Sequence, residues 1–170
     1  NSTAARDVAY HLHPYTELNA HEAQGPLVIT RGQGIYVEDE SGKRYIEGLA
    51  GLWCTALGWG EERLAQAAAA QMRKLAFGHA FAGRATEPAA ELAERLIAIA
   101  PHAPSGPMSK VFFVNSGSEA NDTEVKLVWY YNNARGRPQK KKIIARRRAY
   151  HGVTVAAGCS VMFVLVDAAL

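Results

Sequence analysis

Residues 111–122 read VFFVNSGSEAND. Four apolar residues, Val111 to Val114, run into the small polar cluster Asn115-Ser116-Gly117-Ser118, and Glu119 opens a stretch of helical composition. A short apolar run closed by turn residues reads as a buried strand, and Ser116 with Glu119 three positions on is the capping-box signature of a helix N-terminus. Two readings share this geometry. One is a well-capped helix that follows a strand. The other is an anion site, because the first turn of a helix presents unpaired N–H groups and the positive end of the macrodipole. Gly117 would allow close backbone approach, and Ser116 and Ser118 would add hydroxyl donors. The pattern is neither the Walker loop nor GxGxxG, so a small phosphate ester fits better than an ordinary nucleotide.

Working outward, Glu119 to Asn133 reads as a helix ended by Gly136 and Pro138, and Ile143-Ile144-Ala145 reads as a second short strand. Just beyond it stands Ala149-Tyr150-His151-Gly152. In a parallel sheet both loops would emerge at the same carboxyl edge, where open α/β folds bind ligands. Tyr150 would then offer a flat face to an aromatic ring; in the plainer reading it plugs the sheet edge and His151 lies on the surface. Upstream, Leu64, Ala68, Met72 and Leu75 share one face of a helix that starts near Glu61 and stops at Gly78. Leu92, Leu96 and Ile99 make the stripe of another, with Pro88 in its first turn and Pro101 past its end. PHAPSGP (101–107) is a loop. Helix, strand, helix, strand in this order implies an α/β fold with parallel strands.

The N-terminal third differs. GIYVEDESGKRYIEG (34–48) reads as a hairpin, with Ile35, Tyr36 and Val37 on one arm, Tyr45 and Ile46 on the other, and Glu40-Ser41-Gly42 as the turn. LAGLWCTALGWG (49–60) is too rich in glycine for a regular element and too apolar for a solvated loop, so it should pack against a partner chain or a ligand. Residues 1–25 are polar and irregular and hold His11, His13 and His21. His11-x-His13 lacks a convincing third ligand, and no metal is expected there.

Composition bounds the function. The 170 residues carry a net charge of +3, too small to imply a polyanionic partner. KKKIIARRR (140–148) places six basic residues in nine, yet Ile143, Ile144 and Ala145 interrupt them, which suits a strand with basic ends better than a nucleic-acid surface. Cys54 and Cys159 match no metal or redox spacing and read as free thiols of a reducing cytosol. No apolar run approaches the roughly 18 residues of a spanning helix, and Val161–Val166 is far too short, so no membrane partner is expected. No secretory signal is visible, and the default compartment is cytoplasmic.

Taken together, GIYVEDESGKRYIEGLAGLWC (34–54), VFFVNSGSEAND (111–122) and IIARRRAYHG (143–152) resemble the N-terminal part of class III, pyridoxal-phosphate-dependent aminotransferases, most of all the ω-amino acid:pyruvate and amine transaminases. The resemblance runs from about His21 to Thr154. It implies a fold-type I transferase, with residues 1–60 as an N-terminal segment belonging to the small domain and 61–170 as part of the large cofactor-binding domain. It makes Ser116, Gly117 and Ser118 the phosphate-binding turn, Tyr150 the residue stacked on the pyridine ring and His151 its neighbour. Leu52 and Trp53 fall at the substrate entrance, and Phe81 at an aromatic contributed across a homodimer. The implied activity moves an amino group from an amine or ω-amino acid to a keto acid such as pyruvate by ping-pong imine exchange. The chain also departs from the pattern. The family's catalytic lysine lies far downstream and the last lysine here is Lys142, so no catalytic residue is assigned. Family members are more than twice as long, and after Thr154 the likeness fades. Asp167 follows an apolar run, as the family's ring-nitrogen aspartate does, but much too early. A partial chain, a truncated gene, and a short non-catalytic dimerisation or interaction protein of the same ancestry are the expectations that follow.

Overall fold

The computed structural model describes residues 2–102, 106–146 and 148–159, with Cys159 described by its backbone alone. The expectations for Asp167 and the apolar tail lie outside these residues. The chain divides into two units, Asn1–Arg84 and Ala85–Leu170.

The first unit begins with two short helices, α1 (Thr3–Tyr10) and α2 (Leu18–Gln24), which correct the expectation that residues 1–25 are irregular, and continues into a three-stranded antiparallel sheet in the order β1-β2-β3. The expected hairpin forms: β2 (Tyr36–Asp39) pairs β3 (Arg44–Ile46), with Val37 opposite Tyr45 and Glu38 opposite Arg44. Strand β1 (Ile29–Gln33), which the sequence did not announce, adds on the other side of β2 and sets Arg31 against Glu38. Glu38 thus lies between two arginines, a favourable cross-strand charge arrangement. Asp39 closes the β2–β3 turn. Its carboxylate accepts hydrogen bonds from the Ser41 amide (2.9 Å), the Ser41 hydroxyl (2.6 Å), the Lys43 amide (3.0 Å) and the Tyr45 hydroxyl (2.7 Å). Those donors, the Ser41 hydroxyl foremost, hold its carboxyl down to about 2. Further along, Trp59 and Gly34 exchange both backbone hydrogen bonds, at 2.9 and 2.8 Å. A Cβ on Gly32 would sit 2.7 Å from the Trp59 ring, so only glycine lets that indole lie flat on β1.

Helix α4 (Glu62–Leu75) follows, capped by the Glu61 side chain and bounded as its periodicity requires. In the second unit α5 (Glu87–Ile99) starts after Thr86 with Pro88 in its first turn. Helix α6 (Gly117–Ala134) ends where Gly136, at φ +67°, turns the chain and donates to the Asn133 carbonyl. A short helix, α7 (Val155–Cys159), packs against α6.

Two expectations are corrected. Val111–Val114 and Ile143–Ala145 are not strands; neither has a ladder partner among the described residues, and Phe112 and Ile144 are 71% and 92% exposed. An apolar run becomes a strand only when another strand accepts its backbone hydrogen bonds, and such short pieces cannot make a stable sheet alone. Instead the basic segment is tied to α6: the Trp129 indole donates to the Lys141 carbonyl at 2.9 Å, and the Lys141 ammonium donates to the Asn133 side chain at 2.6 Å. No helix among the described residues is long and apolar enough to cross a membrane.

Candidate functional site

Ser116 is the N-cap of α6, in extended backbone, and its hydroxyl accepts the Glu119 amide at 3.1 Å. Glu119 reaches back, as a capping box requires, but takes the Asn115 amide at 2.9 Å, one residue before the cap. The Ala120 amide bonds the Ser116 carbonyl at 3.0 Å. That leaves the amides of Gly117 and Ser118 without an acceptor among the described residues. Two N–H groups at the positive end of an 18-residue helix form an anion receptor. The hydroxyls of Ser116 and Ser118 act as acceptors within the protein, and each still has a proton to give.

The Tyr150-His151-Gly152 loop lies on this helix end. The Ser118 hydroxyl accepts the Val153 amide at 3.0 Å, and the Thr154 hydroxyl donates to the Asp122 carboxylate at 2.8 Å. Asp122 also accepts the Ala157 amide at 2.9 Å and so fixes the start of α7. The Asn121 side-chain amide holds the His151 carbonyl. Gly152 makes the contact possible. At φ +132° a Cβ on it would lie 2.5 Å from the Ser118 hydroxyl oxygen and 2.9 Å from the Ser118 Cα. Tyr150 stands 71% exposed beside this contact, with its ring open to a flat partner. His151 buries its Nε2 without a hydrogen-bond partner and lines a cavity with Asn121, Glu124 and Val128. The structure thus brings together Ser116, Gly117, Ser118, Tyr150 and His151. Asn121 and Asp122, which do the joining, lie in the quoted stretch, but nothing in their spacing shows their partners 30 to 35 residues away.

Leu52, Trp53 and Phe81 belong to the first unit. Leu52 and Trp53 sit in the short turn α3 (Ala50–Trp53), whose four residues all have positive φ, from +48° at Ala50 to +68° at Trp53. For residues other than glycine this left-handed backbone costs about 1–2 kcal/mol each. Glu47 offsets part of that cost: its carboxylate accepts the amides of Leu49 (3.0 Å) and Gly51 (2.7 Å). The turn pushes Leu52 and Trp53 into the open. Phe81, in a single 3-10 turn (Phe81–Gly83), is exposed as well, with the His79 ring 6.0 Å away.

A model of the aminotransferase class-III family matches residues 18–161. The chain belongs to that family. Its members are pyridoxal-phosphate-dependent transferases of fold type I. The chain is 58% identical, over 130 residues, to gamma-aminobutyrate transaminase 1, mitochondrial, of Oryza sativa subsp. indica, covering 76% of itself and 25% of that protein. The omega transaminase of Pseudomonas jessenii in complex with PMP superposes with a TM-score of 0.89 at 54% identity, over 94% of this chain and 34% of that one. A thermostable omega transaminase variant engineered for asymmetric synthesis of enantiopure bulky amines gives a TM-score of 0.89 at 55% identity, over 94% and 34%. The chain therefore spans about a quarter to a third of the length of the relatives it matches.

Proposed function

We propose that this chain is the cofactor-gripping, N-terminal part of a pyridoxal-phosphate-dependent transaminase that moves an amino group from an amine or ω-amino acid to a keto acid such as pyruvate. One observation carries the reading: the glycine-mediated docking of the Tyr150 loop onto the open N-terminus of α6. The phosphate of the cofactor fits the two open amides and the spare hydroxyl protons there. When bound, pyridoxal phosphate supplies an electron sink for the carbanion left as the substrate amine loses its α proton. The chain's own residues position and select. Gly117 and Ser118 hold the phosphate, and Ser116 adds a hydroxyl. Tyr150 covers one face of the ring, which fixes the ring plane against the substrate bond to be broken. His151 flanks it.

Leu52, Trp53 and Phe81 shape the amine pocket, with Phe81 reaching a second copy in a homodimer. Support comes from the exposure of all three and from the engineered neighbour, whose altered tryptophan and phenylalanine are as far apart in sequence as Trp53 and Phe81. The resemblance assigns the cofactor-carrying role to no lysine of this chain. A second reading, a non-catalytic interaction protein of the same ancestry, draws on the same uncovered apolar groups. The test is an intact mass after borohydride reduction with pyridoxal phosphate, together with alanine formation from pyruvate and a panel of amines. One reduced cofactor per chain and alanine production support the transaminase. A mass of 18.4 kDa with no adduct and no alanine leaves the interaction protein.

A further inference from the structure

The expected weakness of His11-x-His13 was the lack of a third ligand, and the structure supplies one. Asp7 stands on α1 and His11, four positions on, is the residue that ends it, its backbone amide still bonded to the Asp7 carbonyl. The His13-Pro14-Tyr15 corner, with Tyr15 at φ +51°, folds the chain back, and α2 delivers His21. The Asp7 carboxylate lies 2.9 Å from His11 Nδ1, 2.8 Å from His13 Nε2 and 3.1 Å from His21 Nε2. The three rings crowd together at a tilt, His11–His13 at 4.2 Å and His13–His21 at 4.3 Å between centroids, with interplanar angles of 47° and 44°. The side chains of His21 and Asp7 are only 10% and 18% exposed, whereas His11 at 63% leaves an open side. The ligand atoms of Asp7, His11 and His13 all lie within 4.8 Å of one another.

We propose that Asp7, His11 and His13 bind a first-row divalent metal ion of the Zn²⁺ class, with His21 either holding the outer oxygen of Asp7 or closing the shell, and that the ion staples α1 to α2. Imidazole and carboxylate are the donors such ions take. Ligand atoms around a tetrahedral Zn²⁺ with bonds of about 2.0–2.1 Å stand roughly 3.3 Å apart. The Asp7–histidine separations of 2.8–3.1 Å need to open by a few tenths of an ångström, and the three residues' ligand atoms, all within 4.8 Å of one another, close around the ion. No proton has to leave a neutral histidine. The ring nitrogen facing Asp7 gives up its hydrogen and the opposite nitrogen carries it, so the carboxylate–imidazole hydrogen bonds are exchanged for bonds to the ion. This site is separate from the cofactor grip, and its test does not depend on transaminase activity.

The test is a titration of tag-free, chelator-stripped intact protein with Zn²⁺ at neutral pH, repeated with Co²⁺ for its visible absorption. Expected are one ion per chain and at least tenfold weaker binding in Asp7→Asn and in His13→Gln, with His102→Gln as an unaffected control. Because a substituted α1 can lose its fold, a second measurement uses the wild-type protein alone. One equivalent of Zn²⁺ should shift the ring signals of His11 and His13 in a histidine-selective NMR spectrum and leave those of His79, His102 and His151 in place. No stoichiometric uptake, uptake unchanged in both variants, or shifts confined to the other histidines overturns the site.

Discussion

The substitution that most directly probes the cofactor grip is Gly152→Ala. The new methyl carbon would be 2.5 Å from the Ser118 hydroxyl oxygen, 2.8 Å from the Ala157 Cβ and 2.9 Å from the Ser118 Cα. The hydroxyl can rotate away, but only by giving up the Val153 amide it now accepts. The other two atoms belong to helices α6 and α7 and cannot swing. Overpacking of this kind costs about 1–3 kcal/mol, and alanine at φ +132° adds about 1–3 kcal/mol of backbone strain. Loss of glycine's unfolded-state freedom returns only about 0.4–1 kcal/mol. The clash wins, by roughly 1–5 kcal/mol, and the cheapest relief is for the loop to lift off the helix end.

Lifting the loop removes Tyr150 from the ring it would cover. Aromatic stacking is worth about 0.5–1.5 kcal/mol, so pyridoxal-phosphate affinity should fall about two- to twelvefold. Tyr150→Ala alone should do the same, and in the Gly152→Ala background it should cost almost nothing more, because both changes remove one interaction. The assay is cofactor binding to the four proteins of this cycle by absorbance titration, with thermal melting alongside. A Gly152→Ala protein that melts and binds like the wild type would falsify the docking argument. Full additivity with Tyr150→Ala would mean that the loop contact and the ring contact are unrelated.

Ser118→Ala removes one hydroxyl donor to the anion and the acceptor of the Val153 amide; at about 1 kcal/mol for such a bond, cofactor affinity should drop about fivefold, and an unchanged dissociation constant would take Ser118 out of the grip. Asp39 governs acid stability. Its carboxyl is lowered from an ordinary value near 3.8 to about 2, so the stabilisation it gives is complete above about pH 4 and is lost as pH falls through about 2. Melting curves between pH 2 and pH 5 should show that loss in the wild type and a flatter slope in Asp39→Asn; equal slopes would remove Asp39 from the role. Glu47→Ala frees the amides of Leu49 and Gly51, and the strained α3 turn should relax, which near-UV circular dichroism reads through Trp53. An unaltered spectrum would mean that the turn holds its shape without Glu47.

What the sequence made legible was mostly short-range. Ser116 as the cap of α6 follows from Glu119 three residues on, and Gly136 as its stop follows from a single backbone requirement. The ends of α4 and α5 came from Glu61, Thr86 and Pro88 in the same way. Asp7 was passed over because its meaning lies in His13 and His21, and the return of the chain at Pro14 is set by tertiary packing. The one available signal was the i, i+4 spacing from Asp7 to His11, which shows in the sequence only once residues 3–10 are read as a helix. Strand β1 hid behind Gly32, an unfavourable strand residue on propensity, which is present because Trp59 needs the space.

The failed strand assignments reveal a different limit. An apolar run states that a surface will be covered; it does not say what covers it or in which geometry. Phe112, Phe113 and Ile144 carry that statement and remain exposed, as do Leu64 and Met72 on α4. Polar recognition is not under the same constraint. The two open amides, the Ser118 hydroxyl, the Asp122 cap and the Gly152 contact all fall within residues 117–157; the Ser118 hydroxyl and Asp122 find their partners inside that span, and the two amides remain for an anion. On the proposed reading, the residues of this chain that hold the phosphate all lie within 116–157, whereas Leu52, Trp53 and Phe81 define no pocket until another surface faces them. Substitutions within residues 116–157 should then act first on cofactor affinity, and substitutions at Trp53 and Phe81 on amine selectivity.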